Sequence, residues 1–202
     1  VMEVSSIALA AARVEAVRFR TVAMTNLTQD HLDYHGTMEA YAEAKARLFL
    51  DLGPGSAAVN VDDPFGQELV RRVAPRGLSG PHSTTLVRYS ANPAATSQDA
   101  EVAPVSVRHT PAGISLQVRL PGGTYAIESP LVGGHNVQNL LCAMSIAHLL
   151  DLDLRKAADA LSKPIAVAGR LERCDDPAKD DVIVLVDYAH TPDALEKALS
   201  TL

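Results

Sequence analysis

Several common functions need features that this sequence has little of. Its two cysteines, Cys142 and Cys174, have no paired spacing. That excludes a disulfide framework and makes a reducing, cytoplasmic setting the expectation. Lys and Arg number 18 against 24 Asp and Glu, a net charge of −6. Such a chain lacks the basic field of a non-specific nucleic-acid binder, so any phosphate must be held by particular groups. No apolar run is long enough to cross a bilayer, and the start has no signal-peptide pattern. Nucleic acid and membrane are therefore not expected partners. No Walker-type glycine-rich phosphate loop is present, and neither is an internal repeat or a low-complexity tract.

The rest of the composition is ordinary for a globular protein. With 202 residues, 47% hydrophobic and 21% charged, the chain has room for one good domain and part of another. Val1-Met2-Glu3-Val4 opens it as a strand-like run, and Leu202 closes it inside a helical pattern. Both ends are expected to cut through elements of a longer protein.

The patterning alternates strand and helix. Val1 to Val4 reads as the end of a buried strand, Ser5 and Ser6 as N-cap residues, and Ile7 to Val14 as a short helix. A second strand, Arg18 to Met24, leads into a polar loop over residues 27–36. Met38 to Asp51 reads as a helix stopped by Gly53-Pro54-Gly55, Ala57 to Val61 as a buried strand, and Pro64 to Val73 as a helix with Pro in its first turn. Strand, helix, strand implies a right-handed parallel unit.

The texture changes near Pro75. Ile114, Leu116, Val118 and Leu120 alternate with Ser115, Gln117 and Arg119, the pattern of a half-buried strand. Leu86 to Tyr89, Val105 to Val107 and Tyr125 to Ile127 are further candidates for a small, mostly antiparallel sheet. Val137 to Leu150 reads as a buried helix, Leu154 to Leu161 as another, and residues 166–181 as a linker. Val182 to Val186 reads as a continuous apolar strand ending at Asp187, and Thr191-Pro192 as a last helix start. The class is α/β, a mostly parallel sheet with flanking helices plus a small antiparallel sheet.

Ligands of open parallel sheets bind beyond the carboxyl ends of the strands. That rule groups Glu3, Ser5, Thr25, Asn26, Asp30, His31, Asp33 and His35 in one crevice. Their carboxylates and imidazoles suit a divalent ion, while a solvated polar loop is the plain alternative. Lys45 stands on the apolar stripe Met38, Tyr41, Leu48, Phe49 and Leu52. A Lys there must snorkel, pair or be modified, and a buried amine with lowered pKa becomes chemically useful.

At these residues the chain resembles a known family. Glu3-Val4-Ser5-Ser6, Thr25-Asn26-Leu27, Asp30-His31-Leu32-Asp33-Tyr34-His35-Gly36 and Ala44-Lys45-Ala46-Arg47-Leu48-Phe49 match, in order and spacing, the central domain of the Mur ligases. They look most like the members that add the third amino acid to the peptide. Asn136-Val137-Gln138-Asn139-Leu140, Gly169-Arg170-Leu171-Glu172 and Asp187-Tyr188-Ala189-His190-Thr191-Pro192-Asp193 are similar to the family's later motifs. Ile7 departs, standing where the family usually has His.

The resemblance implies a P-loop-type central ATP-binding domain over residues 1–167 and the start of a Rossmann-like C-terminal domain over residues 168–202, with the phosphate loop upstream of Val1. It implies an ADP-forming ligase of peptidoglycan synthesis. Such an enzyme joins diaminopimelate or lysine to UDP-N-acetylmuramoyl-L-Ala-D-Glu through an acyl phosphate, using ATP and Mg2+. It implies Glu3 and His31 as magnesium ligands and Lys45, carbamylated to N6-carboxylysine, as support for the second ion. Ser5 and Arg13 would contact the UDP-linked muramoyl dipeptide; for Arg13 the plain alternative is a solvated helix end. Asn136 and Asn139 would read adenine, whose edge matches an Asn amide, although Asn136 also suits an N-cap. Arg170 would reach the ATP phosphates and Asp187 the ribose. The fragment alone is expected to be inactive. Other readings are a folylpolyglutamate synthetase, another Mur ligase, a degenerate binding module, or a metal hydrolase built on the Asp30–His35 run.

Overall fold

The computed structural model describes residues 1–73, 85–110, 113–163, 168–169, 172–175, 179, 181–190, 195–196 and 198–199. Two three-stranded sheets share one helix. The first sheet is parallel, in the order β1 (Thr21–Met24), β2 (Ser56–Asn60), β3 (Thr85–Tyr89). The second is antiparallel, in the order β4 (Ala103–Thr110), β5 (Gly113–Leu120), β6 (Gly123–Ser129). Leu86 to Tyr89, grouped in sequence with the antiparallel strands, instead pairs parallel with β2. Its two-sided partner explains this: β2 is buried at all five positions and needs a neighbour on each edge.

Three helices cover one face of the parallel sheet: α1 (Ser6–Ala10), α3 (Met38–Leu50) and α4 (Pro64–Val73). Leu9, Phe49, Leu69, Ala57 and Val59 form that core. Ala58 and Val87 point the other way, to α5 (Gly134–Leu149), which packs on both sheets. The period of two in β2 thus feeds two cores at once. Burying a residue such as Leu116 or Leu140 completely stabilises the fold by about 2 kcal/mol each. α6 (Leu154–Leu161) closes the antiparallel side against β6 and starts where Asp153 accepts from the amides of Arg155 and Lys156.

Arg47 ties α1 to α3, donating to the Leu9 carbonyl at 2.6 Å and to Glu15 at 2.6 Å. α3 begins at Thr37, whose hydroxyl accepts from the Ala40 amide, and stops before Gly53. The loop read over residues 27–36 contains a short helix, α2 (Leu32–His35). The first helix is shorter than read, ending at Ala10, and Ala12 takes a left-handed φ of 55° in the turn that follows.

Two strand readings fail. Val1 to Val4 forms no strand, and Val1 and Met2 are exposed. A strand exists only where a neighbour takes its N–H and C=O groups, and no described residue does so there. The apolar run Val182 to Val186 is exposed, and only β8 (Leu185–Val186) pairs, with β7 (Glu172–Arg173). A continuous apolar run shows a tendency to be covered, and no described residue covers this one. The Thr191-Pro192 helix start lies outside the described residues. No described helix is long and apolar enough to cross a membrane.

Candidate active site

The carboxyl end of β1 opens into a cavity of about 1650 Å3. One part is apolar, lined by Leu9, Phe19, Val22 and Ile146 along the outer side of the edge strand β1. This part makes the cavity larger than an ordinary small-molecule pocket of roughly 300–1000 Å3. The polar part holds Glu3, Ser5, Thr25, Asn26, Asp30, His31 and Lys45 from the first half of the chain. His135, Asn136, Gln138 and Asn139 of α5, with Asp187 and His190, line it from the second half. Residues more than 180 positions apart in sequence thus face one space.

The loop after β1 has no sheet partner of its own, and side chains of the neighbouring strands hold its backbone. The Tyr89 hydroxyl donates to the Met24 carbonyl at 2.9 Å, and the buried Asn60 amide donates to the Thr25 carbonyl at 2.7 Å. The Leu27 amide donates to one oxygen of Asp63 at 2.9 Å. The other oxygen of Asp63 accepts from Phe65 and Gly66 and so caps α4. The loop delivers His31 in a left-handed conformation, φ 53°, which is uncommon for a residue with a side chain. The His31 amide donates to Asp30 at 2.8 Å, and its Nε2 lies 3.6 Å from the second Asp30 oxygen.

Lys45 is half-buried, with Nζ 5.3 Å from the centre of the Tyr41 ring. Burial pushes its amine below the usual lysine range, and the charges of Glu3 and Asp30 pull the other way without cancelling the shift. Lysine, carboxylates and imidazole therefore share one electrostatic environment. Among the described residues, no three His, Cys, Asp or Glu side chains are gathered closely enough to hold a metal ion. The Glu3 carboxylate is an oxygen donor suited to a hard cation, and the His31 imidazole adds a nitrogen donor to the same cavity.

The crevice read from the sequence is narrower in the structure. Asp33 is exposed and does not line the cavity. His35 turns its Nε2 to the hydroxyl of buried Ser6 at 2.9 Å and stacks on Tyr41 at 5.4 Å, so it ties α2 to α1. Arg13 is exposed and away from the cavity, because the left-handed turn at Ala12 carries the chain off the helix axis. Ser5 lines the cavity, and its hydroxyl caps α1 by accepting from the Ala8 amide at 3.1 Å.

On α5 the N-cap is Gly133, so Asn136 is a first-turn residue and not the cap. Its amide nitrogen donates to the Val132 carbonyl at 2.7 Å, and its oxygen accepts from Asn139 at 3.0 Å. Asn139 is exposed at the cavity rim. Asp187 accepts from the Ala189 amide at 2.8 Å, and the His190 ring meets the Tyr188 carbonyl at 3.0 Å. Arg170 lies outside the described residues. Sequence reasoning missed Asn60, Asp63 and Tyr89. Only Asp63 left a signal, as an N-cap type directly before Pro64.

With this geometry in view, comparison with known proteins is informative. The family model described as the Mur ligase middle domain matches residues 1–147. The chain belongs to the Mur ligase family. A UDP-N-acetylmuramoyl-L-alanyl-D-glutamate--2,6-diaminopimelate ligase of Coxiella burnetii is 41% identical to this Mur ligase chain over 201 residues. That match covers all of the chain but only 39% of the relative, so the chain spans well under half of its length. A solved structure of a ligase of the same name superposes with a TM-score of 0.79 at 36% identity, covering 99% of this chain and 39% of that one. MurF from Acinetobacter baumannii gives 0.77 at 20% identity, over 93% of this chain and 38% of its own, and speaks for the fold alone.

Proposed function

We propose that the complete protein is an ATP-dependent, ADP-forming ligase that adds diaminopimelate to UDP-N-acetylmuramoyl-L-alanyl-D-glutamate in the cytoplasm. One observation carries this reading. Glu3, His31 and Lys45 line a single cavity, and the Glu3 and Asp30 carboxylates act on the Lys45 amine. The names of the 41% and 36% identical relatives support the substrate. Residues 1–167 form the middle, nucleotide-binding part and residues 168–202 begin the next domain. The family match over residues 1–147 and the separate β7–β8 ladder support this division.

In the proposed reaction a carboxylate oxygen of the dipeptide attacks the γ-phosphorus of ATP, and ADP leaves. The amine of the amino acid then attacks the acyl carbon, loses a proton, and inorganic phosphate departs as the amide forms. The physical obstacle is negative charge, because an anion must approach a triphosphate. Glu3, His31 and modified Lys45 would hold Mg2+, which when bound screens that charge. Lys45 is suited to modification because its depressed amine has a larger neutral fraction. The neutral lone pair forms a bond to the carbon of CO2, one C=O electron pair moves to oxygen, and the amine proton passes to water. Asn139, held by Asn136, would present its amide edge to adenine, Asp187 would accept from the ribose, Ser5 would meet the UDP-linked substrate, and the family resemblance assigns the phosphates to Arg170.

The test is Lys45→Ala in the complete protein, assayed by ADP release that depends on both the dipeptide and diaminopimelate. We expect a loss of about 1000-fold in kcat, with partial rescue by short carboxylic acids. An unimpaired variant removes the role given to Lys45. ADP release with a folate and glutamate instead removes the substrate.

A further inference from the structure

We propose that Tyr41 is a positioning residue for Lys45, its ring forming a floor that steers the lysine head group toward Glu3 and His31. This rests on the role given to Lys45 above. Tyr41 lies one helical turn before Lys45 on α3, so the two side chains meet on one face. Its side chain is buried, with the residue only 5% exposed. Three neighbouring groups contact that one ring. Lys45 Nζ lies 5.3 Å from its centre, the His31 ring approaches edge-on at 6.1 Å, and the His35 ring lies at 5.4 Å with an interplanar angle of 31°. His35 in turn holds Ser6, one residue beyond the cavity-lining Ser5. Tyr41 is therefore the one side chain among these that touches the lysine, the metal-facing histidine and the link to the Glu3 segment.

The ring acts with opposite sign on the two forms of Lys45. The face of an aromatic ring carries negative quadrupole charge and attracts an ammonium group. It repels an anion by the same field. The unmodified lysine is held over the ring, and the carbamate is driven off it. Tyr41 and Lys45 both line the cavity, so a carbamate leaving the ring face moves into the space that His31 and Glu3 also line. A flat aliphatic substitute fills volume but supplies neither half of this behaviour. The hydroxyl plays no part in the argument, so Phe should serve as well as Tyr.

The test compares Tyr41→Phe, Tyr41→Leu and Tyr41→Met in the complete protein. Three readouts are taken: the carbamate resonance after 13C-bicarbonate loading, the bicarbonate concentration for half-maximal activity, and KM against kcat. Thermal melting reports folding. Phe should match the parent in all three. Leu and Met should load the carbamate at least as fully as the parent, since the ring favours the ammonium form, without raising the half-maximal bicarbonate concentration, yet lower kcat by about tenfold because the head group is misplaced, while KM for ATP stays put. Leu and Met variants that fold, carry a full carbamate signal and keep kcat overturn the proposal. A Phe variant as impaired as Leu also overturns it, because the hydroxyl would then be the working group. If Leu does not fold, Met decides. A dead Lys45→Ala with normal Tyr41 variants defeats this inference alone. A live Lys45→Ala defeats the reading beneath it.

Discussion

The sheets β1–β3 and β4–β6 have the same number of strands and pack on the same helix, α5, yet only the first borders the cavity. In the antiparallel sheet every strand follows its neighbour through a ladder, and inward residues such as Leu116, Val118 and Ile127 are wholly buried. Its central strand, β5, is paired on both sides. In the parallel sheet β1 is four residues long, and the chain leaves it without a ladder to follow. Side chains from β2, β3 and the start of α4 hold the departing backbone instead. A segment held at a few points can present His31 in a strained conformation that a ladder would forbid. Regular pairing secures stability, and point-wise holding is where ligand-facing groups become possible.

This contrast predicts which substitutions separate stability from activity. The largest effect should come from Gly66→Ala, which strikes both. A Cβ there would sit 1.8 Å from the Asn60 carbonyl oxygen, so α4 must move off β2 and take the Asp63 bond to the Leu27 amide with it. A loss above about 3 kcal/mol in denaturant unfolding is expected, together with activity. Leu116→Ala should cost about 3 kcal/mol as well, but activity per folded molecule should stay intact, because the cavity takes no residue from β4, β5 or β6. A proportionate loss of activity in that variant would break the comparison. Tyr89→Phe is milder in unfolding, about 1–2 kcal/mol, from loss of the buried hydroxyl's bond to the Met24 carbonyl. It should nevertheless reduce kcat in the complete protein more than Leu116→Ala does.

Periodicity made the antiparallel sheet and the helices readable. The alternation from Ile114 to Leu120 gave β5, and α4 and α6 fall where their Pro and Asp start signals put them. Residue types placed Glu3, His31 and Lys45 around one cavity. The bonds holding the loop were not readable. Asn60 reaches Thr25 across 35 residues and Tyr89 reaches Met24 across 65, and each acceptor is a backbone carbonyl that every residue possesses. His31 and His35 are the same residue type four positions apart, and only the left-handed turn at His31 sends one to the cavity and the other to Ser6. Val182 to Val186 misled because apolar character shows what a segment could bury and not what lies beside it.

The smallest effect tests the joint between the two sheets. Beyond β3 the chain returns so that Val102 bridges Tyr89 in parallel, and Glu101 receives the Arg88 guanidinium and the Arg88 backbone amide, the latter at 2.7 Å. Burial pushes the Glu101 carboxyl up, but the hydrogen bonds from Arg88 outweigh it and hold the group below its ordinary value of 4.5. A carboxylate with a depressed folded pKa contributes stability that is present above the unfolded pKa and lost as pH falls through the folded one. Both side chains are under a third exposed, at 28% and 29%, and screening limits the pair to about 1 kcal/mol. Melting temperatures of the parent and Glu101→Gln should therefore differ at pH 7 and converge as pH falls below the ordinary carboxylate range. The cavity chemistry should be unaffected, because the joint lies outside the cavity lining. A gap that stays constant with pH would mean that shape, and not the Glu101 charge, fastens the antiparallel sheet to the one that bears the site.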